Sequence, residues 1–268
     1  MTQQTLAITV TLWGSCSFFS CADGLSDLKS ALKLLDNTTE ISATLVATTY
    51  FQQGEGEDKV IRNGEASISL NDSQQGLKIT YSPETLAKLE HEASERVKNE
   101  NAETPTLNAI NKNSATSVKS ILSAAPDILR TITRAKFISE ENIKEKKQRK
   151  LNFELPVSAI INDKRTREYV KKFESQYSII INENGVPLMS TLTFSGKGRA
   201  YIVLSVKASG FEQSSYQVVN QRLIRISNET GSTFNSTFGY SERKSSESLT
   251  LLIIKNIQNP KNILLVQQ

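Results

Sequence analysis

Only one histidine offers acid–base chemistry near neutral pH in this chain of 268 residues. His91 stands between Glu90 and Glu92 in a polar stretch with helical spacing. Flanking carboxylates favour the imidazolium form, which would make this side chain sensitive to protons. One histidine cannot build a zinc site of two or three histidines, and the chain lacks the G-x-S-x-G pattern of a nucleophile elbow. We therefore predict an exposed helix residue at position 91, and no catalytic residue, metal or cofactor.

Charged segments suggest binding sites, but their spacing favours ordinary surface. Residues 195–199 read Ser-Gly-Lys-Gly-Arg, yet they lack P-loop spacing and precede a strand, which predicts a β-turn at Gly196-Lys197-Gly198. The basic segments 144–150 and 163–172 would suit lipid head groups or nucleic acid, but interleaved acids favour a solvated face. Glu55, Glu57 and Asp58 lie in a predicted turn without an EF-hand pattern. We expect no nucleic-acid partner and no calcium site.

Three aromatic residues are the candidate ligand-binding residues. Phe234, Phe238 and Tyr240 stand among Ser, Thr and Gly in a segment predicted to be an exposed strand or loop. Such rings can line the mouth of an apolar pocket. The alternative is that they are core residues.

The N-terminal 22 residues contain no charged side chain and hold both cysteines, Cys16 and Cys21. An apolar run that ends in small residues is typical of a secretory signal peptide, here cleaved between Ala22 and Asp23. Two alternatives stay open: a lipoprotein signal acylated at Cys21, and an uncleaved anchor, because the run approaches the length of a membrane span. Residues 1–4 lack the basic side chain common in signal peptides. The prediction is a periplasmic or secreted protein, or a lipoprotein tethered through Cys21.

Composition restricts the chemistry of the exported protein. Removal of residues 1–22 would leave no cysteine, and hence no disulfide, thiol nucleophile or thiolate metal site. The formal net charge of +4 is small for this length and does not indicate an anionic partner. No later apolar stretch is long enough to span a membrane once the signal is removed.

Hydrophobic periodicity predicts segregated helices and strands. An amphipathic helix begins at Asp23, and three alternating strands follow over 41–51, 59–70 and 76–81. Ser82-Pro83 begins a polar helix. A second helical stretch is predicted over 107–137, with an internal break at Pro126-Asp127, and a charged hinge is predicted over 138–150. About six strands complete the chain, predicted at 152–157, 176–182, 188–194, 200–208, 216–227 and 233–240, with shorter ones at 249–254 and 263–266.

Segregated blocks of helices and strands favour an α+β fold. We predict one domain over residues 23–268, built on a curved antiparallel β-sheet that is half-barrel-like. The N-terminal helix and a helical insertion at about 83–147 would pack on one face of this sheet.

The beginning of this predicted domain resembles a known family. The helix from Asp23 that leads into a strand with Ala43-Thr44-Leu45, followed by Gly64-Glu65-Ala66, is similar to the opening of periplasmic lipoprotein carriers of the LolA/LolB type. This resemblance implies a half-barrel covered by helices, with an apolar cavity for acyl chains. The helical insertion departs from that family. Four C-terminal segments resemble exported bacterial proteins of unassigned function: 173–175, 184–188, 196–200 and 239–242.

The function predicted from the sequence is therefore non-enzymatic binding. The protein would bind an apolar or amphipathic ligand, such as a lipid, or an envelope protein in the concavity of the sheet. The alternative is a structural or assembly factor of the bacterial envelope that acts through its surface without a ligand. An exported hydrolase is a third hypothesis without a supporting motif.

Overall fold

A curved, open antiparallel sheet organises the chain and carries helices on one face. The computed structural model describes residues 23–161, 163–200, 204–237 and 239–252. Within them the strands are β1 Ile41–Gln53, β2 Val60–Ser73, β3 Gly76–Tyr81, β4 Lys136–Ile143, β5 Gln148–Glu154, β6 Val170–Ile181, β7 Pro187–Ala200, β8 Leu204–Val219, β9 Arg222–Ser236 and β10 Gly239–Leu251. The helices are α1 Gly24–Leu34, α2 Pro83–Lys98, α3 Pro105–Asn111, α4 Ala115–Leu122, α5 Ala125–Arg134, α6 Val157–Ile160 and α7 Lys164–Tyr169.

The strand order is β3-β2-β1-β10-β9-β8-β7-β6-β5-β4, and every pairing is antiparallel. All neighbours are consecutive in sequence except β1 and β10, whose pairing joins the two ends of the described chain. The sheet does not close into a barrel, so β3 and β4 are its edges. This architecture confirms the predicted α+β fold with a curved antiparallel sheet.

Local sequence explains the helix ends. Asp23 caps α1 by accepting a hydrogen bond from the Leu25 N–H at 3.1 Å. Ser82 caps α2 by accepting from the Thr85 N–H at 3.1 Å, and Pro83 occupies the first turn, where its missing N–H costs nothing. Both helix starts were predicted from the sequence.

Two apolar clusters form the core between the helices and the sheet. The first joins α1 and α5 to β5, β6 and β9, and its buried members include Leu28, Ile132, Phe153, Ile179 and Leu223. The second joins α4 to β1, β2, β9 and β10, and includes Leu45, Ile68, Val118, Leu122 and Ile224. Adjacent residues of β9 thus enter different clusters.

The helical insertion is shorter than predicted and is divided. Its helices end at Arg134 rather than near 147, and the predicted hinge 138–150 is the hairpin of β4 and β5. An edge strand tolerates charged side chains, so β4 lacks the apolar alternation used to find strands. The predicted helical stretch 107–137 is three helices: the predicted break at Pro126 is present, with Pro126 in the first turn of α5, and a further break separates α3 from α4.

Several predicted turns and strands in the C-terminal half are also wrong. Gly196-Lys197-Gly198 is not a turn but lies inside β7. The predicted strands 216–227 and 233–240 each run across a hairpin, because β8 ends at Val219 and β9 ends at Ser236. The predicted strand 59–70 is too short, because β2 continues through Asn71-Asp72-Ser73. The predicted strand at 263–266 lies outside the described residues.

Candidate functional site

Helices cover part of one face of the sheet. Leu28 and Leu32 of α1, Ile121 and Leu122 of α4, and Ile128 of α5 are all at least 96% buried against the sheet. These side chains occupy the space between the helices and the sheet that an acyl chain would need. The candidate site must therefore lie where the strands continue beyond these helices.

Strand register identifies the side chains that continue the helix-bearing face. Ala47, Glu247, Asn228, Ser214, Ser190 and Ile179 pair in succession across β1, β10, β9, β8, β7 and β6. Ala47 and Ile179 are buried beneath the helices, which fixes the face to which this row belongs. Side chains repeat on one face every two residues, so the rows four and six residues farther along the strands lie on the same face.

Those two farther rows carry four phenylalanines. The nearer row is Phe51, Arg243, Ser232, Gly210, Phe194 and Ser175; the farther row is Gln53, Ser241, Phe234, Ala208, Gly196 and Phe173. We call Phe51, Phe173, Phe194 and Phe234 the phenylalanine surface. Phe234 is 45% exposed and the other three are half-buried. Apolar rings are thus accessible on the helix-bearing face of the sheet.

Glycines give the rings their positions. A Cβ atom on Gly210 would lie 2.6 Å from Cζ of Phe194, so that ring lies across the glycine of the neighbouring strand. A Cβ atom on Gly196 would lie 3.7 Å from Cδ2 of Phe173, which is an ordinary van der Waals contact. Ala208 is the next residue of this row, so only small residues stand between Phe173 and Phe234. Flat rings over small residues leave room for a chain-like ligand.

Two arginines stand at the β1 end of the phenylalanine surface. The guanidinium carbon of Arg243 is 5.2 Å from the ring centroid of Phe51. Arg62 of β2 pairs directly with Phe51 and therefore shares its face. Both arginines are exposed, and neither has an ion-pair partner among the residues that the structure describes. Together they form a positive end suited to an anionic group.

A polar belt separates the phenylalanine surface from the packed core. Arg225 of β9 contacts Glu247 at 3.0 Å and Glu212 at 4.0 Å. The hydroxyls of Ser190 and Tyr216 are 2.8 Å apart, beside a cavity of about 270 Å³ under α5. The belt therefore marks the end of the helix-covered core.

The environment of the polar belt shifts the pKa values of Glu212 and Tyr216. Burial raises the pKa of Glu212, the positive charge of Arg225 opposes the shift, and the negative charge of Glu247 adds to it. Burial also raises the pKa of Tyr216, against hydrogen bonds from Ser190 and Ser214. Both shifts favour the neutral forms at this belt.

The structure brings together two of the three predicted aromatic residues. Phe234 belongs to the phenylalanine surface, whereas register places Tyr240 on the opposite face at the strand end. Both line a cavity of about 540 Å³ with Val60 and Ser241. Phe238 lies outside the described residues. The other three phenylalanines, Phe51, Phe173 and Phe194, were not candidate ligand-binding residues from the sequence. Alternation along each strand shows which neighbours share the face of each ring, but it does not show that the three rings share one face of the sheet.

His91 and residues 195–199, the next candidates from the sequence, lie in ordinary elements of the fold. His91 is an exposed residue of α2 beside a groove of about 910 Å³, and its neighbour Glu92 accepts hydrogen bonds from Thr106 N–H at 2.8 Å and Leu107 N–H at 3.1 Å. This carboxylate thus caps α3. Residues 195–199 lie in β7, so neither the phosphate loop nor the predicted turn is present.

The basic and acidic segments are dispersed. In segment 144–150, Arg149 contacts Asp27 at 2.7 Å and Glu140 at 3.7 Å, which ties β5 to α1 and β4. Segment 163–172 forms α7 and the start of β6. Glu55, Glu57 and Asp58 are exposed in the connection between β1 and β2.

Among the described residues, no group of three or more His, Cys, Asp or Glu side chains is placed to hold a metal ion. In the same part of the chain, no helix combines the length and apolar composition needed to cross a bilayer. The predicted signal peptide, 1–22, lies outside the described residues together with Cys21 and Ala22, whereas Asp23 is the N-cap of α1.

Comparison with protein-family models, with curated proteins and with solved structures finds no match for this chain.

Proposed function

We propose that this protein binds an amphipathic ligand with an anionic head group and an acyl-like chain, and that it is not an enzyme. The observation that carries this proposal is the phenylalanine surface, which lies on the helix-bearing face of the sheet, beyond the helices. Burial of one phenylalanine ring against an apolar chain contributes about 1.5–3 kcal/mol. Several such contacts would suffice for reversible binding.

The dimensions of the surface suit a chain. The phenylalanines lie on strands from β6 to β1, which are five strand spacings apart, or roughly 24 Å at about 4.8 Å per strand. A ligand laid across the strands would contact Phe173, Phe194 and Phe51 in turn. Its head group would then lie beside Arg62 and Arg243.

The proposal retains the predicted export. Asp23 caps α1 with its own side chain, so a chain that begins at this residue keeps the cap. We propose a periplasmic or secreted protein, or a lipoprotein tethered through Cys21. A mass measurement of the N-terminus of the protein that cells accumulate distinguishes these forms.

A second candidate is an envelope assembly factor without a ligand. The observation that favours it is the packing of α1, α4 and α5 directly on the sheet, where a carrier would leave space for its cargo. The two candidates differ in what the phenylalanine surface does.

Titration with cis-parinaric acid, a fluorescent fatty acid, tests ligand binding. We expect Phe194→Ser to weaken binding by tenfold or more, because the ring would lose its contact with the chain. Phe211→Ser is the matched control: Phe211 also lies over a glycine, Gly231, but it belongs to the opposite face. The control should bind as the unchanged protein does.

The variant Arg243→Gln tests whether the protein recognises the anionic head group. This variant should weaken binding of the free acid while leaving the uncharged methyl ester unaffected. No binding of either probe to the unchanged protein, or an equal loss in Phe194→Ser and Phe211→Ser, would exclude the ligand-binding proposal and favour the assembly factor.

A further inference from the structure

Three lysines lie directly opposite one another on the face of the sheet that points away from the two core clusters. Lys172 of β6 pairs with Lys197 of β7, which pairs with Lys207 of β8. Each side chain is exposed, and none has an ion-pair partner among the described residues. We call these residues the lysine row. They share a face because paired residues of adjacent strands point the same way.

The lysine row works against the stability of the sheet. Like charges placed directly opposite each other on neighbouring strands are destabilising. The outermost two of these residues are separated by two strand spacings, roughly 10 Å, which is no more than the Debye length at moderate salt. Arg199, two residues beyond Lys197 on the same strand, adds a fourth exposed cation to this face. An anionic partner would relieve the repulsion.

The position of the lysine row favours a flat partner. It lies near the start of β6 and of β8 and near the end of β7, at one end of the sheet. Two residues farther from that end, the same face carries Glu174 and Glu242. A rod-like polyanion laid along the strands would meet these carboxylates, whereas a planar anionic surface would contact the end alone.

We propose that the lysine row docks the end of the sheet onto an anionic lipid bilayer. The proposal goes beyond ligand binding and does not depend on it, because the lysine row and the phenylalanine surface are on opposite faces. Each cation near an anionic membrane adds its own contribution to the binding free energy. The contributions of three lysines together correspond to a roughly 100-fold increase in affinity.

Co-sedimentation with vesicles tests the proposal, using the protein in the form that cells accumulate. The unchanged protein should bind phosphatidylglycerol–phosphatidylcholine vesicles and should leave vesicles of phosphatidylcholine alone. Replacement of all three lysines by Gln should lower the affinity roughly 100-fold. The matched control replaces Lys29, Lys33 and Lys78, which are also exposed, and should keep full binding.

The variant Lys197→Glu separates binding from folding. A carboxylate between Lys172 and Lys207 turns two repulsive pairs into attractive ones, so the melting temperature should rise while vesicle binding falls. A fall in both would mean that the lysine is merely structural and would overturn the proposal.

Two further outcomes would overturn it. The first is equal binding of both vesicle types. The second is tighter binding to a labelled DNA duplex than to the anionic vesicles. Because Phe194→Ser should keep vesicle binding, failure of the membrane proposal is distinguishable from failure of the ligand proposal.

Discussion

Asp72 and Arg222 form an ion pair whose side chains are 2% and 1% exposed. Lys119 of α4 adds contacts to both Asp72 oxygens at 2.8 and 2.9 Å, and Arg222 also donates to the carbonyl oxygen of Thr39 at 2.8 Å. Burial alone would raise the pKa of Asp72, but the hydrogen bonds from Lys119 and Arg222, with their charges, hold it below its ordinary value. Asp72, Arg222 and Lys119 therefore hold β2, β9 and α4 together.

Asp72→Asn should lower the free energy of unfolding by about 3–5 kcal/mol at neutral pH, because it leaves the buried Arg222 charge without its partner. The ordinary aspartate pKa is about 3.9, and the folded value is lower. The contribution of Asp72 is therefore complete above about pH 5 and decreases as the pH falls through the folded value. Urea denaturation across this range should show the difference from the unchanged protein shrinking with acid.

Asp58→Asn is the control for this prediction, since Asp58 is exposed in the connection after β1. Its effect should stay within about 0.5 kcal/mol. A loss in Asp72→Asn that is the same at pH 7 and at pH 3 would contradict the assigned role of the Asp72 charge.

At the scale of secondary-structure elements, tight hairpin turns determine where the long strands end. The turn from β8 to β9 places Asn220 and Gln221 at φ angles of 51° and 61°. Two successive residues with positive φ are typical of a type I′ turn, for which Asn-Gly is the preferred sequence. Glutamine is an unusual residue for this backbone conformation, which is why the sequence predicted one uninterrupted strand here.

Gln221→Gly should stabilise the protein by roughly 1 kcal/mol, because glycine adopts positive φ without the steric cost of a Cβ atom. The comparison is Gln217→Gly, an exposed position within β8, which should instead cost about 0.5–1 kcal/mol. Thermal denaturation of both variants checks the prediction. Destabilisation in Gln221→Gly would mean that the 3.4 Å contact from Asn37 to the Gln221 side chain outweighs the backbone term.

Strand β9 connects the two core clusters at the scale of the whole molecule. Leu223 belongs to the cluster of α1 and α5, and Ile224 to that of α4, and both are fully buried. The Leu223 carbonyl accepts from the Ala124 N–H at 2.9 Å, and its N–H donates to the Leu35 carbonyl at 3.3 Å. Since one backbone segment serves both clusters, neither can lose its packing alone.

The whole-molecule prediction is a single unfolding transition. Leu223→Ala and Ile224→Ala should each cost about 2–5 kcal/mol and should move the same calorimetric peak. Val218→Ala, at a position 40% exposed, should have a much smaller effect. Two peaks, each moved by only one of the two core variants, would show that the clusters unfold independently.

Local sequence patterns predicted the N-terminal part of the fold well. Apolar alternation located β1, β2 and β3, and capping residues located the starts of α1 and α2. The prediction was poorer after Arg134, because β4 is a charged edge strand and because Asn220-Gln221 lacks the glycine that marks a tight turn. Phe234 was a candidate from the sequence because it stands among small polar residues, whereas nothing in the local sequence singles out Phe51 or Phe194.

The sequence by itself determined the alternation of the strands, the helix caps, the absence of cysteine beyond Cys21 and the candidate export signal, because each depends on neighbouring residues. Only the tertiary structure decided which residues share a row. Phe51 and Phe194 come from distant parts of the chain, and Lys172, Lys197 and Lys207 from three strands. A shift of one residue in register would move such side chains to the other face, so both surfaces depend on strand pairing rather than on local sequence.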